Sequence, residues 1–289
     1  MNVAARSSPG RSTSYLGRNR VRIVADGYGD PNAPAVVLLH GGGQTRHAWG
    51  STARALGEAG WHALALDLRG HGDSAWDPLG DYSLDAFVDD LLAVAATLGR
   101  PPVLVGASLG GLTSLLAAGE TAADSFRAVV LVDVAPKTEP EGVERIVSFM
   151  GANPDGFASV EEAAEAIAGY LPHRPRPASL DGLKKNLREG RDGRLRWHWD
   201  PAFMRGERRV QASRDPDRLT RAARGLRVPA MLVRGRMSDV VSEAGARHFI
   251  ELVPHARYVD VSGAGHMVAG DENDAFTAAV IEFLEGLEP

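Results

Sequence analysis

The stretch Val103-Leu104-Val105-Gly106-Ala107-Ser108-Leu109-Gly110-Gly111 decides the fold. An apolar run ends in Gly-x-Ser-x-Gly, and a small-residue segment over 112–118 reads as helix. Strand, sharp turn carrying a serine, then helix is the sequence form of a nucleophile elbow. The glycines have a steric reason. The serine backbone is strained, and a side chain two residues to either side would crowd the turn. A glycine-rich turn with no chemistry and a dinucleotide-binding turn are the competing readings. The second needs glycine where Ser108 stands.

On both sides of this stretch the chain alternates strand and helix. Residues 35–39, 62–66, 103–105, 129–132, 230–233 and 257–261 read as strands, and 21–25 as an edge strand. The continuous apolar runs suit strands buried on both faces. Residues 53–59 read as helix closed by Gly60. Ser83 caps a helix whose Leu84, Phe87, Val88, Leu91, Leu92 and Ala95 recur at helical spacing. The last helix, about 273–287, carries Phe276, Val280, Ile281 and Leu284 on one face. This rhythm predicts an α/β fold with a mostly parallel central sheet and helices on both faces. It breaks between Pro136 and Leu226, a segment rich in Arg, Pro and Glu with helical signals over 160–170 and 180–189. The expected organisation is a disordered tail over 1–18, a core formed by 19–135 and 227–289, and an inserted helical cap over 136–226.

Composition narrows the chemistry. The 289 residues carry 44% hydrophobic and 24% charged side chains and a net charge of -5. That balance argues against nucleic acid or an anionic membrane as the main partner. With no cysteine, thiolate nucleophiles, thiolate metal sites and disulfides are excluded. No stretch approaches the ~20 apolar residues of a membrane span. Residues 1–18 lack the apolar core of a secretion signal, so a cytoplasmic protein acting on a small molecule is expected. Oligomeric state is not legible.

A serine hydroxyl needs a base, and a histidine base needs a carboxylate to fix its tautomer. His266, on the glycine-rich loop Gly263-Ala264-Gly265-His266 before the last helix, is the candidate base. Asp239, a few residues past the strand at 230–233, is the candidate acid. Asp133, at the end of Leu131-Val132-Asp133, is the alternative acid. An oxyanion hole needs two convergent N–H groups. Leu109, at the start of a helix, supplies one, and the His40-Gly41-Gly42-Gly43 loop the other, through Gly42 or its neighbours Gly41 and Gly43. His40 reads as structural. The polar loop Asp67-Leu68-Arg69-Gly70-His71-Gly72-Asp73-Ser74 mixes both charge signs without metal-ligand spacing, and reads as an internally bonded loop. No metal or cofactor is expected. Trp49, Trp197, Trp199, Phe203 and Met267 are candidate substrate-contacting residues, with lid packing as the alternative role for the cap aromatics.

With these blocks in order, the chain resembles the α/β-hydrolase superfamily: His40 to Gly43, Asp67 to Ser74, Gly106 to Gly110, then Asp239 with His266. The resemblance covers all but the tail and the cap. It implies a serine hydrolase that cleaves a carboxylic ester or lactone through an acyl-enzyme, and places the acid at Asp239. Members that open epoxides or remove halide use an aspartate where this chain has Ser108, which argues against both. Carbon–carbon bond hydrolysis and cofactor-free perhydrolysis remain alternatives on the same triad. A small-molecule receptor on this fold is the non-enzyme alternative.

Overall fold

The computed structural model describes residues 10–122, 124–172, 179–266 and 273–287. Eight strands form one sheet: β1 (Arg11–Leu16), β2 (Arg22–Tyr28), β3 (Ala35–Leu39), β4 (His62–Leu66), β5 (Val103–Ala107), β6 (Ala128–Val132), β9 (Ala230–Gly235) and β10 (Arg257–Val261). Their order is β1-β2-β4-β3-β5-β6-β9-β10. β1 and β2 run antiparallel to their neighbours and the rest are parallel. Leu66, Leu39, Gly106, Leu131, Leu232 and Tyr258 share one row of the ladder. Level strand ends bring the segments after β3, β5 and β6, and the loops beyond β9 and β10, to one edge of the sheet. Open α/β sheets hold their ligands at that edge.

Strand residues alternate between the two faces, as period-2 geometry requires. Val37, Leu39, Leu104, Leu131 and Leu232 pack on one side with α2 (Leu84–Ala95), α3 (Leu109–Glu120), α9 (Pro216–Gly225) and α10 (Glu243–Leu252). Val36, Leu38, Val105, Val130 and Val233 pack on the other with α1 (Gly50–Glu58) and α11 (Asn273–Glu285). Helix α3 is buried on every side from Leu109 to Ala118, which is why its sequence shows no polar face. Ser83 Oγ accepts from Ala86 N at 3.4 Å and caps α2.

Two boundaries differ from expectation. Residues 11–16, assigned to the tail, form the edge strand β1, so β2, expected at the edge, lies one place inward. β1 reads Arg-Ser-Thr-Ser-Tyr-Leu and is almost wholly exposed. Its backbone ladder to β2 holds it, and such a ladder leaves no hydrophobic alternation to read. Residues 1–9 lie outside the described residues.

The insertion between β6 and β9 holds α4 (Pro140–Gly151), α5 (Val160–Tyr170), α6 (Asp181–Lys184), the hairpin β7–β8 (Leu187–Glu189 with Leu195–Trp197), α7 (Pro201–Arg205) and α8 (Val210–Ser213). It is therefore not wholly helical. The expected helix over 180–189 ends after one turn, because Gly193 at φ +74° closes a hairpin there. Helix α9, also expected in the cap, belongs to the core. Leu219, Ala222 and Ala223 are buried, and a Cβ on Gly119 of α3 would lie 2.1 Å from Ala222 O. Among the described residues no helix is long and apolar enough to cross a membrane.

Candidate active site

Ser108 sits between β5 and α3 at φ 48°, ψ −110°. That left-handed backbone is costly for any residue but glycine and marks a built turn. A Cβ on Gly106 would lie 2.3 Å from Gly110 O, and one on Gly110 would lie 2.3 Å from Leu39 O. The two glycines let α3 press against both β5 and β3, and so aim the serine off the sheet edge. The next strand repeats the device. Asp133, directly after β6, has φ 49° and is fully buried.

His266 Nδ1 lies 2.7 Å from Asp133 Oδ2. The same oxygen accepts from Ser238 Oγ at 2.5 Å, and Asp133 Oδ1 accepts from Gly235 N at 3.0 Å. Three donors thus hold one buried carboxylate, so His266 Nδ1 carries the proton and Nε2 is left as the basic atom. Asp239, expected as the partner of His266, is not in this arrangement. Its carboxylate is partly exposed and pairs with Arg145 Nη1 at 2.8 Å. The reason is the turn after β9. Arg236, Met237 and Ser238 fold back, with Ser238 N donating to Gly235 O, and the side chain that reaches Asp133 is the Ser238 hydroxyl. That hydroxyl also accepts from Val240 N and Val241 N. The acid position after β6 is among the sequence candidates and Ser238 is not; a lone serine in a turn carries no signal of its own.

Beside the serine, Gly110 N donates to His40 O at 3.1 Å and ties the glycine loop to the start of α3. Within that loop Gly41 N donates to Gln44 Oε1 and Gly43 N to His71 Nε2. Gly42 N and Leu109 N have no acceptor among the described residues. The elimination leaves these two N–H groups for a ligand oxygen. The Gly42 backbone lies against Phe203: a Cβ there would stand 3.4 Å from the ring's Cζ.

Three buried histidines brace the loop from behind. His40 Nε2 accepts from Leu68 N, so its Nδ1 donates to Gly41 O. His71 Nε2 accepts from Gly43 N, so its Nδ1 donates to Arg69 O. His198 Nδ1 accepts from Gly72 N, so its Nε2 donates to Gly43 O at 3.3 Å. Each ring is therefore neutral with one tautomer. Burial pushes all three from 6.5 down to about 3, with mutual repulsion adding to it. The Gly43 peptide is held at both ends, one of them by a residue of the insertion. The loop at 67–74 is bonded internally: Asp67 accepts from Arg46 N and Asp73 N, and Ser74 Oγ donates to Asp67 O.

Ser108 and His266 line a common cavity of about 510 Å³. Trp49, Trp197, Trp199 and Phe203 line it too; Met267 lies outside the described residues. Trp197 and Trp199 stack with centroids 5.2 Å apart, and Phe157 meets Trp197 edge-on at 5.1 Å. The insertion supplies most of the remaining wall, including Val143, Ile146, Met150 and Ile167. A strained serine, an imidazole oriented by a buried carboxylate, and two free backbone donors in one apolar cavity can together perform acyl transfer.

Those features lie at one edge of a doubly covered, mostly parallel sheet, the setting of an α/β hydrolase. The chain matches the model of the alpha/beta hydrolase fold family over residues 34–272 and belongs to that family. It is 32% identical to an esterase of Mycobacterium tuberculosis, over 89% of this chain and 83% of the relative. It is 30% identical to 2-(acetamidomethylene)succinate hydrolase of Mesorhizobium japonicum, over 77% and 78%. A crystal structure of E-2-(acetamidomethylene)succinate hydrolase matches with a TM-score of 0.83 at 26% identity, covering 96% of this chain and 100% of the other. The protein is an enzyme of the hydrolase class.

Proposed function

We propose that the protein hydrolyses a carboxylic ester or lactone of a small molecule through an acyl-enzyme on Ser108. The 2.7 Å bond from His266 to Asp133, in the cavity that holds Ser108, carries the reading. His266 Nε2 takes the Ser108 proton as Oγ attacks the substrate carbonyl carbon. Asp133 holds the ring and stabilises the imidazolium. The Gly42 and Leu109 N–H groups receive the oxyanion, aided by the α3 dipole. His266 returns the proton to the leaving alcohol, which departs. A water then gives a proton to His266 and attacks the acyl carbonyl, and His266 returns that proton to Ser108 Oγ as the acid is released. The esterase relative supports the bond type. Other relatives act on 2-(acetamidomethylene)succinate and on 3-hydroxybutyrate oligomers, and the insertion that walls the cavity is the element that sets the substrate.

A fluorophosphonate probe tests the reading together with a panel of 4-nitrophenyl esters and lactones. The probe is expected to label Ser108 alone, and Ser108→Ala to abolish both labelling and turnover. A label on another residue, or ester turnover that survives Ser108→Ala, overturns it.

A further inference from the structure

The cavity has a charge character that an ester hydrolysis by itself does not call for. The protein is acidic, with 37 Asp and Glu against 32 Lys and Arg, yet among the described residues none that lines the cavity is an Asp or Glu. Two full cations line it, Arg214 and Lys185. Lys185 is exposed. Arg214, just after α8, is partly buried, and its only hydrogen bond among the described residues runs from Nη2 to Thr138 Oγ1 at 2.6 Å.

Among the described residues the buried arginines meet carboxylates, while the partly buried Arg194 and Arg209 are held by backbone carbonyls. Arg46 pairs with Asp26, Asp67 and Asp73, Arg69 with Asp77 and Asp90, Arg218 with Asp85 and Glu120, and Arg234 with Asp260. Arg214 meets none among the described residues, and burial pulls its guanidinium below the ordinary arginine value. Asp215 beside it in sequence, and the acids that follow β6 and β9, are committed elsewhere. Asp215 caps α9 through Asp217 N and faces Arg221, Asp239 pairs with Arg145, and Asp133 is filled by its three donors. A guanidinium carries five donors in a planar fork matched to a carboxylate. One that is partly desolvated and keeps most of its donors unused is a waiting counter-charge.

We propose that Arg214 binds a free carboxylate on the substrate, so that the enzyme acts on anionic esters, with Lys185 adding to the positive field of the cavity. The proposal rests on the ester reading above and specifies its substrate class. Thr138 orients the fork from the opposite end of the insertion, and α8 sets it in the cavity wall with Val210 and Gln211.

The test compares esters matched in size and differing in charge. Mono-4-nitrophenyl succinate, glutarate and adipate are set against 4-nitrophenyl butyrate, pentanoate and hexanoate, which places the carboxylate on the acyl side. For the alcohol side, 3-acetoxybenzoate is set against phenyl acetate. The wild type is expected to favour the anionic member of at least one pair by about 10-fold or more in kcat/KM. Arg214→Gln keeps a donor for Thr138 and removes the charge. It should lower kcat/KM on the anionic ester by about 10- to 100-fold, mainly through KM, and leave the neutral partner within about twofold. Arg214→Lys should recover part of the loss. Preference for the neutral member in every pair, or an equal loss on both members in Arg214→Gln, overturns the proposal and leaves Arg214 a structural tie. Turnover of no ester at all removes the ester reading instead. Glutarate binding to Ser108→Ala then decides the anion site by calorimetry: a Kd at least tenfold weaker on adding Arg214→Gln upholds it, and an unchanged Kd or no binding refutes it.

Discussion

Asp133 and Asp239 are two aspartates in strand-following positions, and packing alone separates them. Asp133 leaves β6 at a left-handed backbone and is buried under three donors. Asp239 faces Arg145 at the surface. Asp133→Asn keeps the shape but no longer fixes the imidazole tautomer, so kcat should fall by about 10³- to 10⁴-fold. Asp239→Asn loses a surface ion pair worth at most about 1 kcal/mol, and should keep kcat within a few-fold of wild type. Steady-state kinetics of both variants on one 4-nitrophenyl ester check this, and the reverse ranking would return the acid to Asp239. Ser238→Ala removes one of the donors on Asp133 and should lower kcat about tenfold with little change in KM.

Among the elements, the insertion divides into parts with different work. The hairpin β7–β8 ends in Trp197, which stacks on Trp199 at the cavity wall. Trp197→Ala should shift kcat/KM across acyl chain lengths while Ser108 keeps its rate with a small fluorophosphonate. An unchanged chain-length profile would reduce the stack to packing. Helix α9 belongs to the core. Gly119 of α3 meets Ala222 and Gly225 of α9 through backbone atoms, which no rotamer change can relieve. Gly119→Ala should therefore cost about 1–3 kcal/mol of stability, read from denaturant unfolding, and leave the kcat of the folded fraction near wild type. If the substitution is neutral, α9 is not a fixed part of the core.

Across the whole molecule, the three histidines behind the glycine loop couple the site to the stability of the fold. Each is neutral and pushed from 6.5 to about 3 by burial. With the folded value depressed, the unfolded chain binds protons that the native chain does not. The contribution is complete well above pH 6.5 and is lost as pH falls through that value toward 3. Near pH 5 the three together should steepen the loss to about 4 kcal/mol per pH unit. Urea unfolding at pH 7.5, 6.5 and 5.5 should show a loss of about 1 kcal/mol over the first interval and about 3 kcal/mol over the second. His198→Gln should remove about one proton from that slope. A stability that is flat from pH 7.5 to 5 would mean that these rings protonate in place.

Much of this protein was written in local sequence. The glycines around Ser108 are required by backbone contacts within a few residues of chain and by the strand next to it, so the elbow could be read directly. The buried strands announced themselves as apolar runs because the sheet is covered on both faces. The exposed strand β1 did not, since its stabilisation is a hydrogen-bonded ladder with no apolar pattern to mark it. Relations between distant segments were set by packing instead. Which aspartate meets His266 depends on how β6, β9 and the turn at Ser238 pack side by side. That His198 of the insertion holds Gly43 across 155 positions of chain, and that Arg214 reaches the cavity wall with no carboxylate among the described residues to meet it, leave no trace in the local pattern. An unsatisfied charge is a property of everything around it, and a sequence shows only its neighbours along the chain.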